Sequence, residues 1–135
     1  MSQANVENAK RIRDAFNRRD VDAFVDLVTR EFEWVPVMAA IEGEVFTGRE
    51  GIESYIGRLG EALEGYLAIA DDHRDLGDRV LNLGRMVGRG RGSGVPVDTP
   101  VGMIFHFRDG KCSRMRAFLD HAEALRAAGL NEESG

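Results

Sequence analysis

From Gly65 to Leu119 the chain reads as extended backbone broken only by short turns, and this run decides what the rest of the molecule can be. The stretches near 67–75, 79–91, 95–107 and 111–119 carry the two-residue apolar/polar alternation of half-buried strands. Between them stand Gly77-Asp78, Gly92-Ser93-Gly94 and Arg108-Asp109-Gly110-Lys111. Asp-Gly supplies the positive φ angles of a tight hairpin turn. Strands joined by turns this short must run antiparallel. A meander of that length curls, and it needs helices to cover one of its faces.

Those helices come earlier. Val6, Ala9, Ile12 and Phe16 recur at three- and four-residue steps and make one apolar stripe, with Asn5 as its N-cap. Asp20 caps a second, shorter helix whose inner side is Phe24, Leu27 and Val28. Thr47-Gly48-Arg49-Glu50 reads as a capping box; Ile52, Tyr55, Ile56, Leu59 and Leu63 then trace one face, and Gly65 ends the helix. Glu31–Met38 alternates like a strand, with Pro36 implying an edge or a bulge and Glu44–Phe46 as a short partner. A last helix over 121–128 starts from Asp120, with Glu123 three residues on. The order α-α-β-β-α-β-β-β-β-α specifies an α+β fold: a cone-shaped, curved antiparallel sheet covered by N-terminal helices, a cystatin-like roll enclosing a pocket. With 135 residues there is room for a single domain spanning 1–135 and not for two cores.

Charge and cysteine content narrow the partners. A formal charge of −5 disfavours nucleic acid, and the lone Arg89-Gly90-Arg91-Gly92 segment reads as the solvated end of a hairpin. Cys112 is the only cysteine, so no intrachain disulfide forms and no zinc set exists. No signal peptide or membrane span is read, and the expectation is a cytoplasmic protein without cofactor, metal or membrane partner.

Several segments are familiar in their order and spacing. They are Ala15-Phe16-Asn17-Arg18-Arg19-Asp20, Phe46-Thr47-Gly48-Arg49-Glu50-Gly51-Ile52, Arg89–Val95, Phe107-Arg108-Asp109-Gly110-Lys111 and Phe118–Gly129. Together they resemble the SnoaL-like, or polyketide-cyclase-like, branch of the nuclear transport factor 2-like superfamily. The resemblance implies the cone-shaped fold and a cavity, and leaves the chemistry open, because that superfamily holds isomerases, dehydratases, hydrolases, cyclases and proteins with no chemistry. Its known catalytic sets are not matched. The ketosteroid isomerase base, tyrosine and acid fall on Val35, Ile12 and Met103; the epoxide hydrolase set falls near Val101, Met103 and Ala117; the cyclase aspartate falls closest to Ala117.

The remaining candidates are few. Glu33 would share a face with Val35 and enter the cavity as a base, although a solvated edge carboxylate is the commoner fate. His73 sits between Asp71 and Asp75 at strand spacing, so two carboxylates could raise its basicity; an exposed polar face is the plainer alternative, and one strand alone does not complete a metal site. Arg85 interrupts the Leu81, Leu83, Val87 face, where a guanidinium needs a ligand anion or a protein carboxylate such as Glu33 or Asp98. The expected ligand-binding wall is Trp34 or Val35, Tyr55, Leu59, Arg85, Met103, Phe105, Met115, Ala117 and Leu119. His106 and His121 read as surface residues, and Ile104, His106, Arg116 and Phe118 as an open sheet face that buries itself in a homodimer. The function expected is therefore small-molecule binding in an apolar pocket, with isomerase, cyclase or hydrolase chemistry on a cyclic or apolar substrate. The alternative is a non-catalytic dimeric interaction or ligand-carrier module.

Overall fold

The computed structural model describes residues 3–36 and 43–130. Helices α1 (Gln3–Arg18) and α2 (Val21–Val25) lead into strands β1 (Val28–Val35) and β2 (Phe46–Thr47) and helix α3 (Gly48–Ala62). The meander follows as β3 (Leu63–Asp75), β4 (Arg79–Gly90), β5 (Pro96–Arg108) and β6 (Lys111–Phe118), and helix α4 (His121–Ala127) closes the order. Asp109 and Gly110 take φ of 52° and 83°, as a two-residue hairpin turn requires.

The six strands form one curved sheet in the order β2-β1-β6-β5-β4-β3. The meander is antiparallel throughout, but β1 lies parallel to β6, so the sheet is mixed. That pairing joins distant segments, and neither carries a local turn signal to announce it.

The concave face carries the larger core. Val6, Ala9, Ile12 and Phe16 of α1 meet Phe32, Trp34, Val80, Phe105 and Met115 from the sheet. Trp34 lies at the centre of an aromatic group, 5.2 Å from Phe24, 5.8 Å from Phe16 and 4.5 Å from Tyr55 between ring centroids. Such pairs add to the burial of the rings themselves. The convex face carries a second, smaller core of Leu81, Leu83, Ile104 and Phe118, covered by Ala124, Leu125 and Ala128 at and just beyond α4.

Several local expectations need correction. Asn5 lies inside α1, not at its cap, and its buried side chain donates to the Gly77 carbonyl at 2.9 Å, tying the helix to the β3–β4 turn. Thr47 occupies the N-cap of α3, but its side chain accepts no capping hydrogen bond, so the capping box is not formed. Gly65 does not end that helix. The chain is already extended at Leu63, and Gly65, with φ of 61°, lies in a bulge of β3. β1 begins three residues earlier than expected and stops before Pro36; positions 37 and 38 lie outside the described residues. Asp20 and Asp120 cap their helices as read, accepting from the backbone N–H of Ala23 and Ala122.

The open sheet face needs correction too. Ile104 and Phe118 are 3% and 4% exposed because α4 folds back over them. The Glu33, His106, Arg114 and Arg116 end of the convex face lies outside that core.

Candidate functional site

A cavity of about 110 Å3 lies between α1, α3 and the concave sheet. Strand register explains its floor. Trp34, Met115, Phe105 and Val80 are successive cross-strand partners and form one apolar row. The next row is Ala117, Met103, Asn82 and His73. Ile12, Arg13 and Phe16 close the cavity from α1, and Tyr55 closes it from α3. One row further, where Gly84 stands between Val101 and Ala70, β3 comes so near that a Cβ at Gly84 would overlap the Ile69 carbonyl. Only glycine permits that approach, which bends the sheet and leaves space above it.

Two one-residue irregularities in β3, at Glu64/Leu67 and Ala70/Asp72, set which side chains face inward. The second reverses the alternation, so His73 lies on the same face as Ala70. His73 therefore meets α1. Arg13 Nη1 donates to His73 Nε2 at 3.0 Å, and a guanidinium only donates, so Nε2 accepts and the imidazole is the neutral Nδ1–H form. Burial and the nearby Arg13 and Lys10 charges hold the His73 pKa below its ordinary value. Burial likewise lowers that of Arg13.

The second polar group is Asn82, 6% exposed and directly opposite His73 across the β3–β4 ladder. Its Oδ1 is buried and accepts no hydrogen bond; among the described residues only Thr29 Oγ1 shares that condition. The third is Tyr55, whose ring rests on Trp34 and Phe46. Desolvation pushes its pKa up to about 12, so the phenol stays a neutral hydrogen-bond donor. No carboxylate lines the cavity among the described residues.

Trp34, Tyr55, Arg85, Met103, Phe105, Met115 and Ala117 lie on the wall, whereas Val35, Leu59 and Leu119 do not. Trp34 points into the core, so alternation turns Val35 and Glu33 outward. Glu33 is exposed and sits 4.0 Å from Arg114. It lines an open surface depression with His106 and Arg114, not the cavity. Leu59 packs against the core beside the cavity, and Leu119 follows the end of β6 and is half exposed. The carboxylate-flanked His73 is also corrected. Asp71 falls in the irregularity and is exposed, Asp75 accepts from Gly77 N–H, and the group bonded to His73 is the cation Arg13.

Arg85 is half exposed at the cavity's edge. Its Nη1 donates to Asp98 at 3.1 Å, the protein carboxylate named as the alternative to a ligand. Leu81 and Leu83 belong to the convex core, so sharing their face does not bring Arg85 inward. His106 is half-buried on the convex side opposite Arg114, and its pKa is lowered by burial and the Arg114 and Arg79 charges. His121 is not a free surface residue: its Nε2–H donates to the Gly84 carbonyl at 2.7 Å.

Asn82 and Arg13 are the functional groups that pattern reading missed. Asn82 had a signal, since it is the lone polar residue in Val80-Leu81-Asn82-Leu83. Arg13 had none, because it lies at the margin of its helix's apolar stripe. Of the positions onto which the superfamily's catalytic sets fall, Ile12, Val101, Met103 and Ala117 line the cavity and are apolar, while Val35 lies off the wall.

Comparison with known proteins agrees with this architecture. The family profile described as a SnoaL-like domain matches residues 9–115. TerC, crystallised with polyporic acid, is similar at 22% identity and a TM-score of 0.77, over 90% of this chain and 95% of that one. A protein provisionally described as a SnoaL-like polyketide cyclase, from Jannaschia sp. CCS1, is similar at 24% identity and a TM-score of 0.75, over 92% and 90%. An NTF2-like protein of unknown function from Burkholderia pseudomallei is similar at 19% identity and a TM-score of 0.78, over 93% and 97%. No curated protein matches the chain.

Proposed function

The chain belongs to the SnoaL-like domain family, and from that premise we propose that it binds a small, ring-containing, largely apolar molecule in the cavity between α1, α3 and the concave sheet. The observation that carries this reading is an apolar cavity, open on one side, with a few polar groups on its wall, Arg13, Tyr55, Asn82 and Arg85 at the edge, in a fold whose helices leave that space unfilled. The wall proposed to touch the ligand is Trp34, Tyr55, Met103, Phe105, Met115 and Ala117. The reaction classes that fit are isomerisation, cyclisation and hydrolysis of a cyclic substrate. Residues 1–135 act as one domain.

A second reading, a non-catalytic carrier or interaction module, is favoured by one observation: the wall holds no carboxylate among the described residues. His73 does not line the cavity and its Nε2 lone pair accepts from Arg13, so it supplies no general base in this arrangement. Turnover of a bound compound separates the two readings.

Trp34 is the only tryptophan, so its fluorescence reports on the cavity wall. Titration with single-ring compounds should change that fluorescence saturably, and Ala117→Phe, which fills the cavity, should abolish the change while the circular dichroism stays native. No saturable change with any ring compound would sink the binding reading. So would an Ala117→Phe variant that binds as well as the wild type.

The assembly proposed is a cytoplasmic homodimer through the Glu33, His106, Arg114 and Arg116 end of the convex face, without nucleic acid. No helix among the described residues is long and apolar enough to cross a membrane. Light scattering of a monomer at tens of micromolar, an order-of-magnitude choice, would remove the dimer.

A further inference from the structure

Asn82 sits in a strand segment with no local use for an amide. Its flanking residues Leu81 and Leu83 are buried in the convex core, and its cross-strand partner on β5 is Met103. Its other cross-strand neighbour, His73, already spends Nε2 on Arg13. The Oδ1 atom is buried without a donor. A buried amide in this condition lowers the stability of the unliganded protein, because its bonds to water are lost and nothing replaces them. From helix α1 and strand β5, Ile12, Phe16 and Met103 bring no donor, and the Arg13 guanidinium on the same wall is turned to His73.

Taking the cavity to be a binding site as proposed above, we infer that Asn82 determines its specificity, selecting a six-membered ring that bears a hydroxyl next to a second oxygen. The reasoning is one of complementarity. An amide presents one acceptor and one donor side by side, and this holds whichever way the group is turned about its last torsion. The matching ligand edge presents a donor and an acceptor side by side: two adjacent ring hydroxyls, or a hydroxyl beside a ring carbonyl. The hydroxyl donates to Oδ1 and the adjacent oxygen accepts from Nδ2–H. A carboxylate does not fit, because it brings no donor to Oδ1.

Size points the same way. A dry cavity of roughly 150 Å3 holds a benzene ring. The present cavity, about 110 Å3 and open on one side, seats one leading ring and leaves the rest of a larger molecule at the mouth. The faces of that ring lie against Trp34, Met103 and Phe105, and its oxygen-bearing edge lies at Asn82. Tyr55, which stays protonated, adds a donor for an oxygen elsewhere on the ring.

The test compares catechol with o-xylene, which share size and shape and differ in their paired hydroxyls, by Trp34 fluorescence on the wild type and on Asn82→Leu. The wild type should prefer catechol over o-xylene by a ratio about tenfold greater than the Leu variant does, the equivalent of one net hydrogen bond. The same ratio in both proteins overturns the role of Asn82 while leaving the cavity a binding site. Failure of catechol to bind the wild type overturns the inference, and the binding reading falls with it only if no other ring compound gives a saturable change. Should Asn82→Leu not fold, the wild type alone decides: catechol, and not o-xylene, should shift the Asn82 side-chain amide resonances. Unmoved resonances under saturating catechol would refute the inference.

Discussion

The two faces of the sheet are built from alternate residues of the same strands, yet they solve different problems. On the convex face Leu81, Leu83, Ile104 and Phe118 meet one short helix and every side chain finds a neighbour. On the concave face Val80 and Phe105 join a dense aromatic group, while one row away Asn82 and Met103 border empty space. The convex core stores stability in few residues. The concave face gives up part of its stability to keep a cavity with an unpaired amide. Position along one strand, not composition, separates the two.

The largest effect should come from deleting packing where it is complete. Leu81→Ala, at 0% exposure in the convex core, should cost about 2–5 kcal/mol in urea unfolding. Its neighbour Asn82→Leu, on the other face, should be neutral or stabilising by up to about 1–3 kcal/mol, because it removes the orphaned acceptor. If the two substitutions destabilise equally, the contrast between the faces is wrong.

Helix starts sharpen the comparison at a smaller scale. Asp120 caps the convex-side helix, and Asp120→Ala should cost about 1 kcal/mol. Thr47 stands at the corresponding position of α3 without a capping bond, so Thr47→Ala should stay within about 0.5 kcal/mol. A Thr47→Ala loss matching that of Asp120→Ala would mean the hydroxyl caps the helix in solution.

The smallest effect is on pH dependence, and it involves both faces. His73 on the concave side and His106 on the convex side have pKa values lowered from the ordinary 6.5. Below that value the unfolded chain binds protons that the folded chain refuses, so stability falls as pH drops. Above about 6.5 both states are neutral at these sites and the contribution is level. Thermal unfolding at pH 5 and pH 8 should show this drop, and His73→Gln and His106→Gln should each reduce it. Both rings are partly exposed, so each share is small; a drop unchanged in both variants assigns it to other groups.

Local signals in the sequence were reliable where the physics is local. Asp20, Asp120 and the Asp109-Gly110 turn are each settled within four residues, and they stand as read. The family resemblance rested on order and spacing, and the SnoaL-like profile over residues 9–115 bears it out. What was not legible depends on partners far along the chain. The second β3 irregularity lies where β4 closes on Ile69 and Ala70 at Gly84, and it decides that His73 faces α1. Whether Trp34 or Val35 points inward depends on how β1 meets β6. Covering of Ile104 and Phe118 depends on the return of α4. Each of these moves a candidate residue from one face to the other without altering the alternation from which it was read.

The sheet leaves two rims where a foreign strand could add. One is β2, only two residues long; the other is β3, which runs for thirteen. A straight ladder of that length would template the stacking of further chains. The two irregularities in β3 also break the spacing of its outward N–H and C=O groups, and the rim carries charged side chains, Glu64, Asp71, Asp72, Arg74 and Asp75. The bends that shape the cavity thus also interrupt the edge along which another strand would pair.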